Sequence, residues 1–103
     1  MQFIETSVFT KALHTLLSDD EYRELQNQLL RDPTLGDVIR GGGGIRKMRF
    51  GIEGRGKSGG VRVIYFWLSA DDEIYMLLIY PKSRKDTLSA DEVAVLRALV
   101  KEF

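Results

Sequence analysis

The residues of this sequence that could do chemistry are cations in its middle and its last third. Lys47 and Arg49 stand two positions apart in strand-like sequence, so their side chains point to the same face of a sheet. Arg62 lies in the next strand-like segment, and Lys82 comes two residues after the last one. Such side chains bind phosphate oxygens, and an arginine fork can stabilise the charge that develops on a reacting phosphate. If these strands are neighbours, the four cations share one surface that fits a polyanion.

The formal net charge is zero, but the charges are segregated along the chain. Residues 1–39 hold three basic and seven acidic residues (−4), residues 40–62 hold seven and one (+6), and residues 63–103 hold five and seven (−2). A basic segment of this kind produces a local positive field whatever the total charge. Its glycines and its β-like sequence favour contact with a polyanion over the alternative of a solvated face.

The segment from Gly51 to Ser58 matches the phosphate-loop pattern G-x-x-x-x-G-K-[ST] letter for letter. A nucleotide-binding loop of that type needs a helix directly after it, because the helix N-terminus helps to hold the phosphates. Here glycines and a strand-like run follow, so we interpret the match as chance. The glycines either make the loop flexible or let its backbone lie close to a polyanion, with Lys57 as one contact.

Other chemistry has few candidates in the sequence. There is no cysteine, so disulfides and thiolate chemistry are excluded. His14 stands among leucines and is interpreted as a surface or packing residue, and the acidic run from Asp71 to Glu73 as a solvated turn. We therefore expect no metal and no cofactor. No apolar run approaches the roughly 18 residues that cross a bilayer, so we predict a cytoplasmic protein without membrane contact.

Hydrophobic spacing predicts a single α+β domain over residues 1–103, with the element order β-α-α-β-β-β-α. The predicted strands span residues 3–6, 45–50, 61–68 and 74–80. The predicted helices span residues 7–17, the segment from Ser18 to Pro33, and the segment from Ser89 onward. Ser18 and Ser89 each begin a capping-box sequence. The first two helices form a hairpin whose apolar faces need a sheet to cover.

Several motifs resemble the RelE superfamily of bacterial toxins. They are the basic strand Arg46-Lys-x-Arg49, the glycine- and lysine-rich loop, the strand Gly59-Gly-Val-Arg62-Val-Ile-Tyr65 and the strand end Ile79-Tyr-Pro-Lys82. Leu35-Gly-Asp-Val-Ile39 and the Gly-Gly-x-Arg-x-Ile-Tyr core most resemble a HigB-type branch. The resemblance extends over nearly the whole chain. It implies a RelE-like fold, in which a two-helix hairpin packs on a small antiparallel sheet that also carries a C-terminal helix.

The resemblance implies the toxin of a type II toxin–antitoxin system, a ribosome-dependent endoribonuclease (mRNA interferase) that cleaves translated mRNA in the A site of the 30S subunit. Such toxins let the ribose 2′-hydroxyl attack the adjacent phosphate, without metal. One of Lys47 and Arg49 would help to deprotonate that hydroxyl, Arg62 would stabilise the phosphate charge, and Lys82 would lie near the leaving oxygen or the RNA backbone. The further RNA-binding residues implied are Arg46, Arg55, Lys57, Tyr65, Tyr80, Arg84 and Lys85. The two tyrosines would stack on bases, with packing in the sheet as the alternative for Tyr65.

The sequence departs from the family pattern near its C-terminal end. Ser83 follows Lys82 where other members have an arginine, which Arg84 replaces if the register shifts. No tyrosine follows Tyr80, although other members carry a catalytic tyrosine near the C-terminus. The general acid and base therefore stay unassigned at this point.

The partners that the resemblance implies are mRNA, the ribosome and a cognate antitoxin. A HigA-like antitoxin with a helix-turn-helix domain would link the toxin indirectly to operator DNA. Two alternatives stay open. One is a ParE-like toxin on the same scaffold, which poisons DNA gyrase and needs no phosphate-cleaving cluster of cations. The other is a non-cleaving protein that binds RNA or the ribosome.

Overall fold

The computed structural model describes residues 1–51, 60–84 and 87–103. The elements in these ranges are β1 (Gln2–Glu5), α1 (Ser7–Leu16), α2 (Asp19–Arg31), β2 (Asp37–Val38), β3 (Arg46–Phe50), β4 (Val61–Leu68), β5 (Glu73–Pro81) and α3 (Ala90–Val100). A 3-10 turn, Ser69–Asp71, joins β4 to β5. The α+β class and the order of the predicted elements are confirmed. Strand β2 is an addition, because two residues are too few to show a hydrophobic period.

Both predicted capping boxes form. The Ser18 hydroxyl accepts a hydrogen bond from the Glu21 amide at 3.1 Å, and the Glu21 carboxylate accepts one from the Ser18 amide at 2.7 Å. Ser89 and Glu92 make the same reciprocal pair at 3.1 and 2.9 Å. These bonds satisfy amides that the first turns of α2 and α3 leave without a helical partner, so both helices begin where the sequence indicates.

The strands form one sheet in the order β1-β5-β4-β3-β2. The pairs β2·β3, β3·β4 and β4·β5 are antiparallel, as expected for the part of the sheet formed by the C-terminal half. Strand β1 pairs with β5 in parallel. Strands β3, β4 and β5 follow one another in the chain and are antiparallel, whereas β1 is separated from β5 by the helical hairpin and three strands and pairs with it in parallel.

The sheet has two differently covered faces. The hairpin face packs against α1 and α2 and carries the cluster Phe9, Leu13, Leu17, Leu25, Leu29, Met48, Phe50, Val61, Val63, Tyr65, Ile74, Met76 and Ile79. The opposite face, which we call the α3 face, carries the cluster Ile45, Ile64, Leu77, Tyr80, Leu88, Leu96 and Val100. One short helix covers only part of this second face, and Arg49, which shares it, is exposed.

The C-terminal residues hold α3 on its face. Leu96 and Val100 are buried as predicted, and Val93 is half-buried. Phe103 is 37% exposed, but its ring stacks on Tyr75 with the ring centres 3.7 Å apart. The predicted inward side of this helix is therefore confirmed, with Phe103 lying at its margin.

The linker between α2 and β3 is fastened to the sheet by side chains. Arg46 Nη1 donates a hydrogen bond to the Thr34 carbonyl oxygen at 2.9 Å. The Tyr65 hydroxyl lies within hydrogen-bonding distance of the Pro33 and Leu35 carbonyl oxygens. Arg46 and Tyr65 thus provide hydrogen-bond donors for carbonyl oxygens of a linker that has no regular secondary structure. These bonds fix the path of the chain into β2.

Gly36 lets this linker pass close to β3. Its φ of +77° lies in the left-handed region, and a Cβ built on it would stand 2.1 Å from the Lys47 carbonyl oxygen. Gly41 has nearly the same φ, +76°, but its Cβ would meet no atom within 4 Å. A residue with a side chain would be strained in its backbone at either of these two positions, but of the two its Cβ would clash with neighbouring atoms only at Gly36.

We expect Gly36→Ala to destabilise the protein far more than Gly41→Ala. The strain of a left-handed alanine costs about 1–2 kcal/mol at either position. The clash with the backbone of β3 adds at least about 2 kcal/mol at Gly36, because the neighbouring atoms cannot move without breaking the β2·β3 pairing. Urea unfolding of the two variants measures the difference. Equal losses would contradict the close approach of the linker to Lys47.

The ionisation of Tyr65 provides a second test of the fold. Burial raises the pKa of its hydroxyl to about 12. The folded-state pKa lies above the unfolded value near 10. The protonated Tyr65 hydroxyl therefore makes its full contribution to the free energy of unfolding below pH 10, and this contribution is lost as the pH rises toward 12. We expect Tyr65→Phe to be about 1–3 kcal/mol less stable at pH 8, because two linker carbonyls lose their donor. Its free energy of unfolding should also fall less than that of the wild type between pH 9 and 11. Urea unfolding across this range measures both effects, and parallel pH profiles would contradict the assignment.

Candidate nucleic-acid interface

A row of three side chains crosses the α3 face near the end of the sheet where β4 begins. Arg49 of β3 pairs with Arg62 of β4, and Arg62 pairs with Tyr80 of β5. Directly paired residues of antiparallel strands point to the same face, so this register places the two arginines side by side. Like charges in that position repel each other and destabilise a sheet. An anion bound between them would reduce the repulsion.

A cavity opens beside this row. It has a volume of about 180 Å³ and is lined by Arg49, Phe50, Gly51, Gly60, Arg62 and Lys82. The Lys82 amide donates a hydrogen bond to the Gly60 carbonyl oxygen at 3.3 Å, which ties the end of β5 to the residue before β4. Three of the four predicted catalytic cations therefore line one cavity. Two guanidinium groups and an ammonium group are the donors that proteins use for phosphate oxygens.

The three cations differ in exposure. Arg49 and Lys82 are exposed, whereas Arg62 is only 2% exposed. A phosphate would meet Arg49 and Lys82 at the rim and Arg62 at the wall. Because charge interactions strengthen where water is excluded, a buried guanidinium stabilises a developing negative charge more than an exposed one does.

Lys47, the fourth predicted catalytic cation, occupies the adjacent row of the same face. It pairs with Asp37 of β2 on one side and with Ile64 of β4 on the other. The prediction that Lys47 and Arg49 share one face of the sheet is confirmed. Lys47 is half-buried and lines a second cavity of about 260 Å³ next to β2.

Two predicted RNA-binding residues, Arg46 and Tyr65, lie on the hairpin face, away from the cations. Tyr65 is 0% exposed in the core beneath the helical hairpin, so no base can reach its ring. Arg46 pairs with Tyr65 across β3 and β4 and donates to the Thr34 carbonyl oxygen. Side chains alternate along a strand, which directs Arg46 away from Lys47 and Arg49. Both residues hold the linker.

The remaining predicted contacts have mixed outcomes. Tyr80 faces the cations but is only 6% exposed and packs in the apolar cluster beneath α3, so its ring is no open stacking surface. Arg84 is exposed in the turn after β5, where its amide donates to the Pro81 carbonyl oxygen at 3.1 Å. The predicted contacts Arg55, Lys57 and Lys85 lie outside the described residues.

Sequence reasoning missed Asp37 as a residue of this site. It appeared only within the motif Leu35-Gly-Asp-Val-Ile39, in a stretch too short to predict as a strand. The structure pairs it with Lys47. The sequence feature that could have indicated Asp37 is its position as the last acidic residue before the basic segment, residues 40–62.

The described part of the chain contains neither a candidate metal-binding cluster nor a candidate membrane-spanning helix. His14 is exposed on α1, and these residues contain no group of three or more histidine, cysteine or acidic side chains that could hold a metal ion. None of the helices in the described ranges is long and apolar enough to span a membrane.

Comparison with known proteins identifies the family of this chain. A family model described as the RelE toxin of the RelE/RelB toxin–antitoxin system matches residues 4–103. Among solved structures, E. coli toxin RelE in the free state, a mutant with two arginines changed to alanine, is similar in fold. It shares 15% sequence identity, the match covers 94% of this chain and 93% of that chain, and the TM-score is 0.60. At that sequence identity, the structural similarity shows the fold alone. The predicted RelE-like fold is confirmed. The assignment to a HigB-like branch stays a prediction. Because the family model matches nearly every residue, this chain belongs to the RelE toxin family of toxin–antitoxin systems.

Proposed function

We propose that this toxin is a ribosome-dependent endoribonuclease that cleaves translated mRNA in the A site and so inhibits translation. The observation that carries the proposal is the cavity lined by Arg49, Arg62 and Lys82, with Lys47 in the adjacent row of the same face. Membership of the RelE toxin family supports it. A protein acting on translated mRNA works in the cytoplasm, where ribosomes are.

The reaction needs a strong anion site and two proton transfers. The 2′ oxygen of one ribose forms a bond to the adjacent phosphorus, and the bond from phosphorus to the 5′ oxygen of the next nucleotide breaks. The products are a 2′,3′-cyclic phosphate and a 5′-hydroxyl. The 2′-hydroxyl loses a proton, and the leaving 5′ oxygen gains one. Between these events the phosphate carries extra negative charge, which closely placed guanidinium groups stabilise.

The proposed roles follow from position. Arg49 and Arg62 hold the phosphate from two neighbouring strands, and Arg62 stabilises the transition state from its buried position. Lys47, on the β3 side, assists removal of the 2′ proton. Lys82, which directly follows β5 and lines the same cavity, contacts the leaving oxygen or the next phosphate. This set binds and polarises a phosphate without a metal ion.

The ribosome supplies what the toxin lacks. A cationic surface by itself does not hold RNA with the 2′ oxygen in line with the bond that breaks, and such alignment accounts for a large part of enzymatic rate. The A site would hold the message in that geometry, so we expect weak cleavage or none of naked RNA. We further propose that a HigA-like antitoxin with a helix-turn-helix domain blocks the basic face and links the toxin to operator DNA.

A purified translation reaction on a defined message tests the proposal. Newly formed 5′ ends are mapped with the wild type, with Arg62→Ala and with Lys82→Ala, whose exposed side chain can be removed without disturbing the core. Arg23→Ala, which removes an exposed cation from α2, is the matched control. We expect cuts within ribosome-occupied codons, a loss of about 100-fold or more in rate for the two site variants, and no change for the control.

Other outcomes point to the alternatives. Blocked translation of an intact message would discard cleavage and leave binding to RNA or the ribosome. Unaffected translation would lead to a test of DNA gyrase poisoning, the activity of a ParE-like toxin.

The repulsion between the two paired arginines gives a further prediction. Arg49→Gln should lower the cleavage rate by about 100-fold and raise the free energy of unfolding by up to about 1 kcal/mol at low salt. High salt should shrink the gain in stability, because Arg49 is exposed and its charge is screened. Urea unfolding at two salt concentrations measures this, with Arg23→Gln as the control. A destabilised Arg49→Gln would contradict the view that the pair is kept for anion binding.

A further inference from the structure

The outer side of α3 is apolar along its middle. Ala94, Val95 and Ala98 are exposed, and Val95 exposes 68% of its surface. At 3.6 residues per turn these three positions form one stripe, on the side of the helix away from the buried Leu96 and Val100.

Helix α2 shows the contrast. Its exposed positions are mainly charged or polar, and they include Asp20, Arg23, Glu24, Asn27 and Arg31. A surface helix normally carries polar residues opposite the side that faces the core, whereas a helix that is apolar on both sides is buried between two partners. The outer side of α3 therefore has the composition of an interface.

An apolar groove lies alongside this stripe. It has a volume of about 290 Å³ and is lined by Leu78, Asp91, Glu92, Val95 and Leu96. Leu78 belongs to β5, so the groove lies between α3 and the sheet. An aliphatic side chain that enters such a groove leaves water, and full burial of a valine or leucine contributes about 1.5–3 kcal/mol.

The two ends of the stripe carry opposite charges. Asp91 lies in the first turn of α3, Lys101 directly follows the last residue of the helix, and both are exposed. Arg97 lies to one side of the stripe, next to the linker, where its Cγ is 3.3 Å from the position that a Cβ on Gly43 would take. The stripe is thus acidic at its N-terminal end, apolar in the middle and basic at its C-terminal end.

We propose that the outer side of α3 binds the same surface of a second copy of this chain, with the two helices antiparallel. When Ala94 lies opposite the partner's Ala98, Asp91 lies opposite the partner's Lys101, because Asp91 is three residues before Ala94 and Lys101 is three residues after Ala98. The two-fold axis repeats both contacts. A parallel arrangement would instead place like charges opposite each other, so the charges favour the antiparallel one.

The size of this contact determines its strength. Helix α3 has 11 residues and is therefore about 16 Å long. Two helices of this length bury less than the roughly 800 Å² per partner of a standard stable interface. The exposed ion pairs add at most about 1 kcal/mol each. We therefore expect a reversible dimer with a dissociation constant of about 10–100 µM.

Sedimentation velocity of the purified full chain tests the inference without ribosomes or RNA, so the result is independent of the proposed function. We expect the wild type to change from monomer to dimer as its concentration passes through this range. Val95→Glu places a charge in the middle of the contact and should raise the dissociation constant about tenfold or more. Val8→Glu, which changes a valine of similar exposure on α1 (59%), is the matched control and should leave the constant unchanged.

Charge reversal tests the antiparallel arrangement. Asp91→Lys and Lys101→Glu each place like charges opposite each other, so each variant alone should dimerise about fivefold or more weakly than the wild type. An equimolar mixture of the two variants should dimerise as well as the wild type, because both contacts of the mixed dimer join opposite charges. Lys11→Glu, which reverses an exposed charge on α1, is the control.

Three outcomes would overturn the inference. They are a wild type that stays monomeric throughout this range, a dimer that Val95→Glu does not weaken, and charge variants whose mixture dimerises no better than either variant alone. Circular dichroism establishes that each variant is folded. If Val95→Glu does not fold, the mixture of the two charge variants decides, because both are changed only at exposed positions.

Discussion

Burial of the central strand β4 on both of its faces is the constraint on which the rest of the structure depends. Residues Val61 to Tyr65 are all buried, and alternate side chains meet the helical hairpin on one side and the α3 cluster on the other. Arg62 is the one charged residue buried in the described part of the chain. Removing a guanidinium from water is costly, and Arg49 directly opposite adds repulsion. In the proposed function, an anion bound in the cavity that both arginines line would offset this repulsion.

The alternation of side chains along β3 divides the basic segment between two tasks. Lys47 and Arg49 face the cavities, while Arg46 joins Tyr65 in holding the linker on the hairpin face. A register slip of one residue would exchange these faces. The buried residues Met48 and Phe50 prevent such a slip, because they would have to leave the hairpin core. Core packing thus determines which cations are available to a ligand.

The linker from α2 to β3 extends the site beyond the row of cations. Gly36 allows it to lie against the backbone of Lys47, and the resulting strand β2 brings Asp37 into the adjacent row. The α3 face then has two neighbouring regions. One is cationic, and the other combines aliphatic walls with a carboxylate.

The sequence by itself determined the class of fold, the strands and helices with strong hydrophobic periods, both capping boxes and the face shared by Lys47 and Arg49. These features depend on neighbours in the chain and on periods of 2 and 3.6 residues. Only the tertiary structure decided that Arg62 lies directly opposite Arg49, that Tyr65 is sealed in the core, that Tyr80 is covered beneath α3, and that Asp37 joins the site. Strand register and the placement of a linker depend on contacts between residues far apart in the chain, and a single sequence read along its length contains no period that encodes them.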